Sequence, residues 1–357
     1  MPRVPRRLAA STRFVLATAG ALALVALAPL AAAADAGLSA GRIHLTKRAS
    51  EIDPRAREYR EIDFVFKDKD GKVQDLQHAF VAPDVAPRGR LVIWLMGYNA
   101  GLFDRLAGYG LHAIQPHYAN KWFGLIPAKE RDDGTSLGKM RLEATTGQDF
   151  SPLAKIEPPD GMMERTRQFL LWLAKEHPAG KWEQFLTEDR AAVRWDRVIV
   201  SGSSHGATSA TRFAVHQRVD RVVALCGPRD QFETWHAFPS ATPSNRIFGF
   251  SHVLDGGWTG DHYCRSWQML GLHNHGPIVD VDSSAPPFGH TRRLTTAFDV
   301  KGDAKKAHSS VTPGSAAAKN RDGTFKHEAV WKYLYTHDVE LTGPAVPLDP
   351  DCTVRER

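Results

Sequence analysis

Short apolar runs recur along the chain, and most of them are separated by segments with helical periodicity. Runs of four or five residues with few or no polar positions are typical of strands that are buried on both faces. Such runs, or runs with a similar pattern, predict strands at residues 91–95, 111–115, 198–201, 221–225, 246–250 and 278–282. Helices are predicted at residues 103–109, 161–176, 207–215 and 327–335, with Asp160 as the N-cap of the second. This alternation predicts an α/β fold with a mostly parallel central sheet and helices on both of its faces.

Other parts of the pattern are less regular. Residues 59–67 and 72–82 alternate apolar and polar positions around a short turn, which predicts an opening β-hairpin. Residues 118–160 and 231–245 carry few periodic signals. We expect these two insertions to form loops or caps over the carboxyl edge of the sheet, where ligands bind in such folds.

The N-terminal segment has the pattern of an export signal. Four arginines precede an apolar run, residues 14–30, and small residues at 31–34 provide a cleavage site. We therefore expect residues 1–34 to be removed and the mature protein to be secreted or periplasmic, without a stable membrane anchor. Residues 35–357 then form a single domain, because no repeat or linker divides them.

Charge and cysteine content narrow the function classes. The four arginines of the signal account for most of the formal charge of +6, and without them the balance is +2. A nearly neutral chain without long basic runs does not favour nucleic-acid binding. Of the three cysteines, Cys226 follows an apolar strand pattern and is expected to be a buried free thiol, which leaves Cys264 and Cys352 as the candidate disulfide.

One short stretch carries candidate chemistry. In VIVSGSSHGATSATRF, residues 198–213, a strand pattern runs into Gly202-Ser203-Ser204-His205-Gly206 and a helix pattern follows. A tight turn that exposes a serine needs a strand directly before it and a helix directly after it. The two glycines allow this strand and this helix to approach each other closely. Only Ser204 is central between the glycines, so Ser204 is the predicted nucleophile.

This stretch resembles the nucleophile elbow of the α/β-hydrolase superfamily, and in detail a secreted bacterial branch of serine hydrolases. In that branch a Trp-x-Arg-Ile/Val segment leads into the elbow, as residues 195–198 do here. The next strand ends in Gly-Pro-x-Asp, as residues 227–230 do here. The resemblance implies an α/β-hydrolase fold with cap loops and a catalytic triad in the chain order Ser, Asp, His.

Several residues are candidates for the acid and the base. Asp255 follows the strand pattern at residues 246–250 and is the preferred acid, with Asp230 and Asp261 as alternatives. The related branch has two histidine stretches. Arg292 stands where the first histidine would be, whereas Ala307-His308-Ser309-Ser310 matches the second, so His308 is the preferred base and His290 the alternative.

The oxyanion hole needs two backbone N–H groups. The resemblance assigns them to His205, the residue after the nucleophile, and to Tyr98 in the loop after the strand at 91–95. That loop reads Met96-Gly97-Tyr98-Asn99 instead of the branch's Pro-Gly-Thr-Gly, and a bulky Tyr98 is expected to line or narrow the substrate pocket. Aromatic residues that could line an acyl or aryl pocket are Trp122, Phe123, Trp235, Phe238, Trp258 and Trp267.

These features predict a secreted serine hydrolase that cleaves an ester, of a small molecule or a polymer, through an acyl-enzyme on Ser204. No cofactor is implied. A non-catalytic binding protein on a hydrolase fold is the alternative, because the oxyanion loop departs from the branch pattern. A metal-dependent hydrolase would have to use Asp255, Asp261, His262, His273 or His275, but His273-x-His275 lacks the one-turn helical spacing of common zinc motifs.

Overall fold

The computed structural model describes residues 41–57, 66–67, 73–74, 76–120, 122, 133–153, 155–230, 232–259, 263–314 and 316–352. By its contacts the chain divides into two units, Met1–Ala34 and Asp35–Arg357, and every described residue lies in the second. The predicted signal, Phe123, Asp261 and His262 lie outside the described residues. No helix within the described ranges is long and apolar enough to cross a membrane.

Nine strands form one sheet, and a two-stranded hairpin stands apart from it. The sheet strands are β1 (Ile43–Arg48), β4 (Leu76–Val81), β5 (Leu91–Trp94), β6 (His112–Gln115), β7 (Val198–Ser203), β8 (Arg221–Leu225), β9 (Ile247–His252), β10 (Ile278–Asp280) and β11 (Arg293–Thr296). The hairpin pairs β2 (Phe66–Lys67) with β3 (Val73–Gln74).

The helices are α1 (Ala49–Ile52), α2 (Ala100–Gly108), α3 (Ser136–Thr146), α4 (Met162–Glu176), α5 (His205–His216), α6 (Gly256–Thr259), α7 (Tyr263–Met269), α8 (Ala304–Ser310) and α9 (Glu328–Thr336).

The strand order is β1-β4-β6-β5-β7-β8-β9-β11-β10. β4 pairs antiparallel with both of its neighbours, and the remaining neighbours in the sheet pair in parallel. Every residue of β5, β8 and β9 is buried. Because successive side chains of a strand point to opposite faces, the sheet is covered on both faces in this region. The predicted fold class, a mostly parallel sheet between helices, is confirmed.

The structure differs from the sequence predictions at a few elements. β1 and β11 were not predicted, and only β2 and β3 of the predicted opening hairpin pair with each other, whereas β4 belongs to the main sheet. The interval 118–160 contains α3, whose residues from Leu137 onward are buried except for Lys139. The predicted cap at Asp160 is wrong, because Gly161 is the N-cap of α4 and the Asp160 carboxylate pairs with Arg165.

Candidate active site

Two strands at the centre of the sheet position the site. The strand order reverses here. After β5, the chain places β6 on one side of β5 and then places β7 on the other side. In open α/β sheets ligands bind outside the carboxyl ends of the strands at such a reversal. The segments that leave these two strands are residues 96–99 after β5 and the turn at Ser204 after β7.

The turn at Ser204 is sharp. Ser204 has a φ of 54° and a ψ of −116°. Residues other than glycine rarely adopt a positive φ. It lies between the last residue of β7 and the first residue of α5, and its N–H donates to Leu225 O at 2.9 Å. The strand and the helix therefore hold the serine in a conformation that it would not adopt alone.

Both glycines of the motif are required by close contacts. A Cβ at Gly202 would lie 2.3 Å from the carbonyl carbon of Gly206, and a Cβ at Gly206 would lie 2.5 Å from Leu95 O. The strand β7, the helix α5 and the end of β5 thus approach one another at distances that only glycine permits. This geometry is that of a nucleophile elbow at the reversal point of a parallel sheet.

The chain has the α/β-hydrolase fold.

The structure brings His308 and Asp255 together beside the carboxyl ends of the strands. Asp255 follows β9 and is 1% exposed, and His308 lies in α8. His308 Nδ1 is 2.8 Å from Asp255 Oδ2. The other carboxylate oxygen accepts the Gly257 N–H at 2.7 Å, so the carboxylate is fixed from both sides.

This contact determines the tautomer of His308. An ionised carboxylate only accepts hydrogen bonds, so Nδ1 of His308 carries the proton and Nε2 of the neutral ring is left as an acceptor. The side chain of His308 is 31% exposed, whereas that of Asp255 is buried. An oriented imidazole with a free Nε2 is the form that a general base requires.

His290, the alternative base, lies at the opposite edge of the sheet from Ser204. It directly precedes β11, which is parallel to β9, and therefore lies near the amino ends of the strands, whereas Ser204 lies at their carboxyl ends. Its Nδ1 contacts His337 Nε2 at 3.2 Å. The unpredicted strand β11 is the reason for the difference, because His290 precedes this strand and His308 follows it.

Asp230, the alternative acid, pairs with an arginine that the sequence did not indicate. Arg141 of α3 donates to the two carboxylate oxygens of Asp230, from Nε at 2.7 Å and from Nη2 at 2.9 Å. Burial opposes the ionisation of Asp230, but the charge and hydrogen bonds of Arg141 outweigh it and hold the pKa of this carboxyl below its usual value.

The imidazole of His205 is buried against Trp122, with ring centroids 4.9 Å apart. Burial, together with the charge of Arg141, lowers the pKa of His205 to about 3. His205 is therefore neutral at physiological pH, and its ring is packed within the protein, which agrees with a role for its backbone rather than its imidazole.

The loop after β5 is held by aromatic and polar contacts. The Tyr98 ring stacks on His78 with centroids 3.9 Å apart and meets Phe103 edge to face. Asn99 caps α2 by accepting the Leu102 N–H, and its Nδ2 donates to Pro313 O at 2.6 Å. The loop that carries the predicted Tyr98 donor is thus fixed on one side by the antiparallel strand β4 and on the other by the segment after α8.

Three of the six aromatic residues proposed for a pocket are core residues. Trp122, Trp235 and Trp267 are each at most 1% exposed, whereas Phe238 is 48% exposed. Trp258 is half-buried and its ring centroid is 5.3 Å from that of Trp267. The buried tryptophans therefore support the walls of the site more than its open surface.

One group of described side chains has spacing that could hold a metal ion, namely Cys226, Asp255 and His308. It does not include His273, and His275 instead contacts Ser244 Oγ through Nε2 at 2.8 Å. Burial and the nearby charge of Asp255 raise the pKa of the Cys226 thiol, which opposes the thiolate that a metal would need. Cys226 is a buried free thiol and Cys264 is bonded to Cys352, as predicted.

Comparison with known proteins adds only remote likenesses. No protein-family model and no curated protein sequence matches the chain. Among solved structures, esterase Est22 is 12% identical with a TM-score of 0.24 over 52% of this chain and 44% of its own. Prolyl oligopeptidase B from Galerina marginata is 11% identical with a TM-score of 0.36 over 82% and 36%.

Thermogutta terrifontis esterase 2 is 12% identical, with a TM-score of 0.30 over 68% of this chain and 82% of its own. The chain thus spans less than half the length of the first two matched proteins. The assignment of the fold rests on the strand order and the elbow of this chain.

Proposed function

We propose that the protein is a serine hydrolase that cleaves a carboxylic ester through an acyl-enzyme on Ser204. The observation that carries the proposal is the hydrogen bond between His308 and Asp255 at the edge of the sheet where the strained elbow presents Ser204. The three residues follow one another in the order Ser, Asp, His, which is the order of this fold.

Each group has a defined task in the proposed mechanism. Ser204 Oγ attacks the ester carbonyl and transfers its proton to Nε2 of His308, while Asp255 stabilises the imidazolium that forms. The N–H groups of His205 and Tyr98 stabilise the tetrahedral oxyanion. His308 then protonates the leaving alkoxide, and a water molecule activated by the same imidazole hydrolyses the acyl-enzyme.

Two features support export as part of the proposal. The first 34 residues have the charge and hydropathy pattern of a cleavable signal. The Cys264–Cys352 disulfide is suited to an oxidising compartment such as the periplasm or the extracellular medium. The proposed substrate is a small or polymeric ester, and no nucleic acid or stable membrane anchor is part of the proposal.

The proposal is tested with a fluorophosphonate probe, which reacts with activated serines. The wild type is expected to be labelled and Ser204→Ala is not, while Ser203→Ala, the neighbouring serine, is expected to be labelled as the wild type is. A panel of p-nitrophenyl esters of increasing acyl length then defines the substrate range. Equal labelling of wild type and Ser204→Ala would overturn the proposal, and a folded wild type without labelling or turnover would favour a binding protein.

A further inference from the structure

A buried ion pair joins helix α3 to the segment after β8, and its arginine contacts the elbow. Arg141 and Asp230 have side chains that are 2% and 3% exposed. Arg141 comes from α3, in the interval between β6 and β7, and Asp230 follows β8. Such a pair gains little stability over apolar packing, because both charges lose their hydration when they are buried. Stability therefore does not explain why this ion pair lies at this position.

The remaining nitrogen of the guanidinium faces the elbow. Arg141 Nη1 donates to the backbone oxygen of His205 at 3.1 Å and to Ser209 Oγ at 3.0 Å. The same nitrogen lies 3.3 Å from His205 Nδ1. Arg141 thus connects α3, the first turn of α5 and the carboxylate of Asp230 through one rigid, planar group.

Two peptide planes flank His205, and each is anchored. The Ser204 oxygen accepts the Thr208 N–H at 3.1 Å and the Thr208 hydroxyl at 2.9 Å. Because C=O and N–H point in opposite directions across a trans peptide, the His205 N–H points away from α5. The next peptide is held through its oxygen by Arg141.

We propose that Arg141, held in place by Asp230, is a positioning residue that orients the His205 N–H for the oxyanion. The inference rests on the proposed function. It adds that the oxyanion hole is complete only when α3 packs against the elbow and brings Arg141 to His205. The positive end of the Arg141–Asp230 pair faces the elbow, so loss of Arg141 leaves the uncompensated Asp230 carboxylate near a developing negative charge.

Loss of either partner breaks the same pair but has different effects on the rate. Arg141→Met removes the hydrogen bond to His205 and leaves the negative charge of Asp230, whereas Asp230→Asn keeps that hydrogen bond and leaves no negative charge. We expect Arg141→Met to lower kcat about 10- to 100-fold, somewhat less than the loss of a direct oxyanion donor, with a change in KM of less than about three-fold. Asp230→Asn is expected to lose clearly less.

A matched control exists elsewhere in the chain. Arg165 of α4 and Asp160 form an equally buried pair, with side chains 3% and 0% exposed, and Arg165 also donates to the backbone oxygens of His117, Arg57 and Pro159. Arg165→Met is expected to lower the thermal stability as much as Arg141→Met does, while kcat per folded molecule stays within about two-fold of the wild type.

The experiment measures the melting temperature, the rate of fluorophosphonate labelling, and kcat and KM on one p-nitrophenyl ester for all four variants and the wild type. Arg141→Lys is included because it keeps the charge and, if Arg141→Met does not fold, replaces it. A single ammonium cannot bond Asp230 and His205 together, so Arg141→Lys is also expected to be slow.

The outcomes separate this inference from the proposed function. Slow labelling of the Arg141 variants together with normal labelling of Arg165→Met supports it. Wild-type labelling rates in both Arg141 variants, or equal rates in Arg141→Met and Asp230→Asn, overturn it and leave the proposed function intact. A wild type that is not labelled at all overturns both.

Discussion

Ser204 occupies a backbone conformation that costs free energy, and its neighbours hold it there. A positive φ at a residue other than glycine costs about 1–3 kcal/mol and persists where the surroundings enforce it. Here Gly202 and Gly206 allow the close approach of strand and helix, and the Ser204 N–H and oxygen are both hydrogen-bonded. The strain exposes the hydroxyl at the edge of the sheet that His308 also occupies.

The choice between the two candidate histidines yields a direct prediction. His308→Ala removes the proposed base and should lower kcat about 10⁶-fold, as loss of the triad histidine does. His290→Ala, at the opposite edge of the sheet, should retain near wild-type kcat. Both are measured on one p-nitrophenyl ester at constant pH. If His290→Ala were the inactive variant, the assignment of the base to His308 would be wrong.

At the scale of elements, α3 depends on a buried carboxylate at its N-terminus. Glu233 is 1% exposed and accepts the N–H groups of Leu137 at 2.9 Å and Gly138 at 3.0 Å. A Cβ at Gly138 would lie 2.7 Å from Trp235 Cδ1, so the helix start and the loop after β8 are closely packed. Glu233 therefore links α3 by hydrogen bonds to the loop after β8, which also carries Asp230.

The ionisation of Glu233 makes this attachment pH-dependent. Burial and the charge of Asp230 raise the pKa of Glu233 to about 7, and the hydrogen bonds from α3 oppose this only in part. Because the carboxyl binds its proton more tightly in the folded state, its contribution to stability is fully present below the unfolded pKa of 4.5 and is lost as the pH rises through about 7.

Glu233→Gln removes this dependence while keeping an oxygen that can accept from α3. From pH 4 to pH 8 the wild type should lose about 3 kcal/mol of unfolding free energy relative to Glu233→Gln, because the pKa of Glu233 is 4.5 in the unfolded chain and about 7 in the folded protein. Urea unfolding of both proteins across this range measures the difference, in which other titrations cancel. A difference that does not change with pH contradicts the assigned pKa.

At the scale of the whole molecule, the disulfide fastens the C-terminal segment to the domain. Cys264 of α7 is bonded to Cys352 across 88 residues of sequence, a span that contains β10, β11, α8 and α9. The bond thus encloses the helix that carries His308. A long enclosed loop restricts the unfolded chain, and this restriction stabilises the folded state.

Loss of the disulfide should lower the unfolding free energy by about 4 kcal/mol, given the length of the loop. The double variant Cys264→Ser/Cys352→Ser is compared with the wild type by urea unfolding, with and without reductant. The reductant should destabilise the wild type and leave the double variant unchanged. Equal stability of the two oxidised proteins would show that the bond does not constrain the unfolded chain in this way.

The elements with a clear local period were predictable from the sequence. The buried strands β5, β7, β8 and β9 and the helices α2, α4, α5 and α9 follow from runs or faces of apolar residues, which a short window of sequence displays. The proposal of Ser204 as the nucleophile and the preference for Asp255 and His308 also came from local motifs and from their order along the chain.

The elements and contacts in which buried residues are polar became apparent only from the folded structure. β11 contains Arg293, whose guanidinium is satisfied by Gly276 O, and α3 buries Glu143, whose carboxylate accepts the N–H groups of Phe150, Ser151 and Ile156. Such partners cannot be inferred from hydrophobic periodicity, because a buried polar residue has the same sequence signature as an exposed one.

The same limit applies to the site. His290 and His308 are both plausible in the sequence, and the presence of β11 between them places them at opposite edges of the sheet. Arg141 gave no signal at all, because its partners Asp230 and His205 are 89 and 64 residues away. Long-range pairing of polar groups depends on how the elements pack, and it was the packing that decided which side chains surround Ser204.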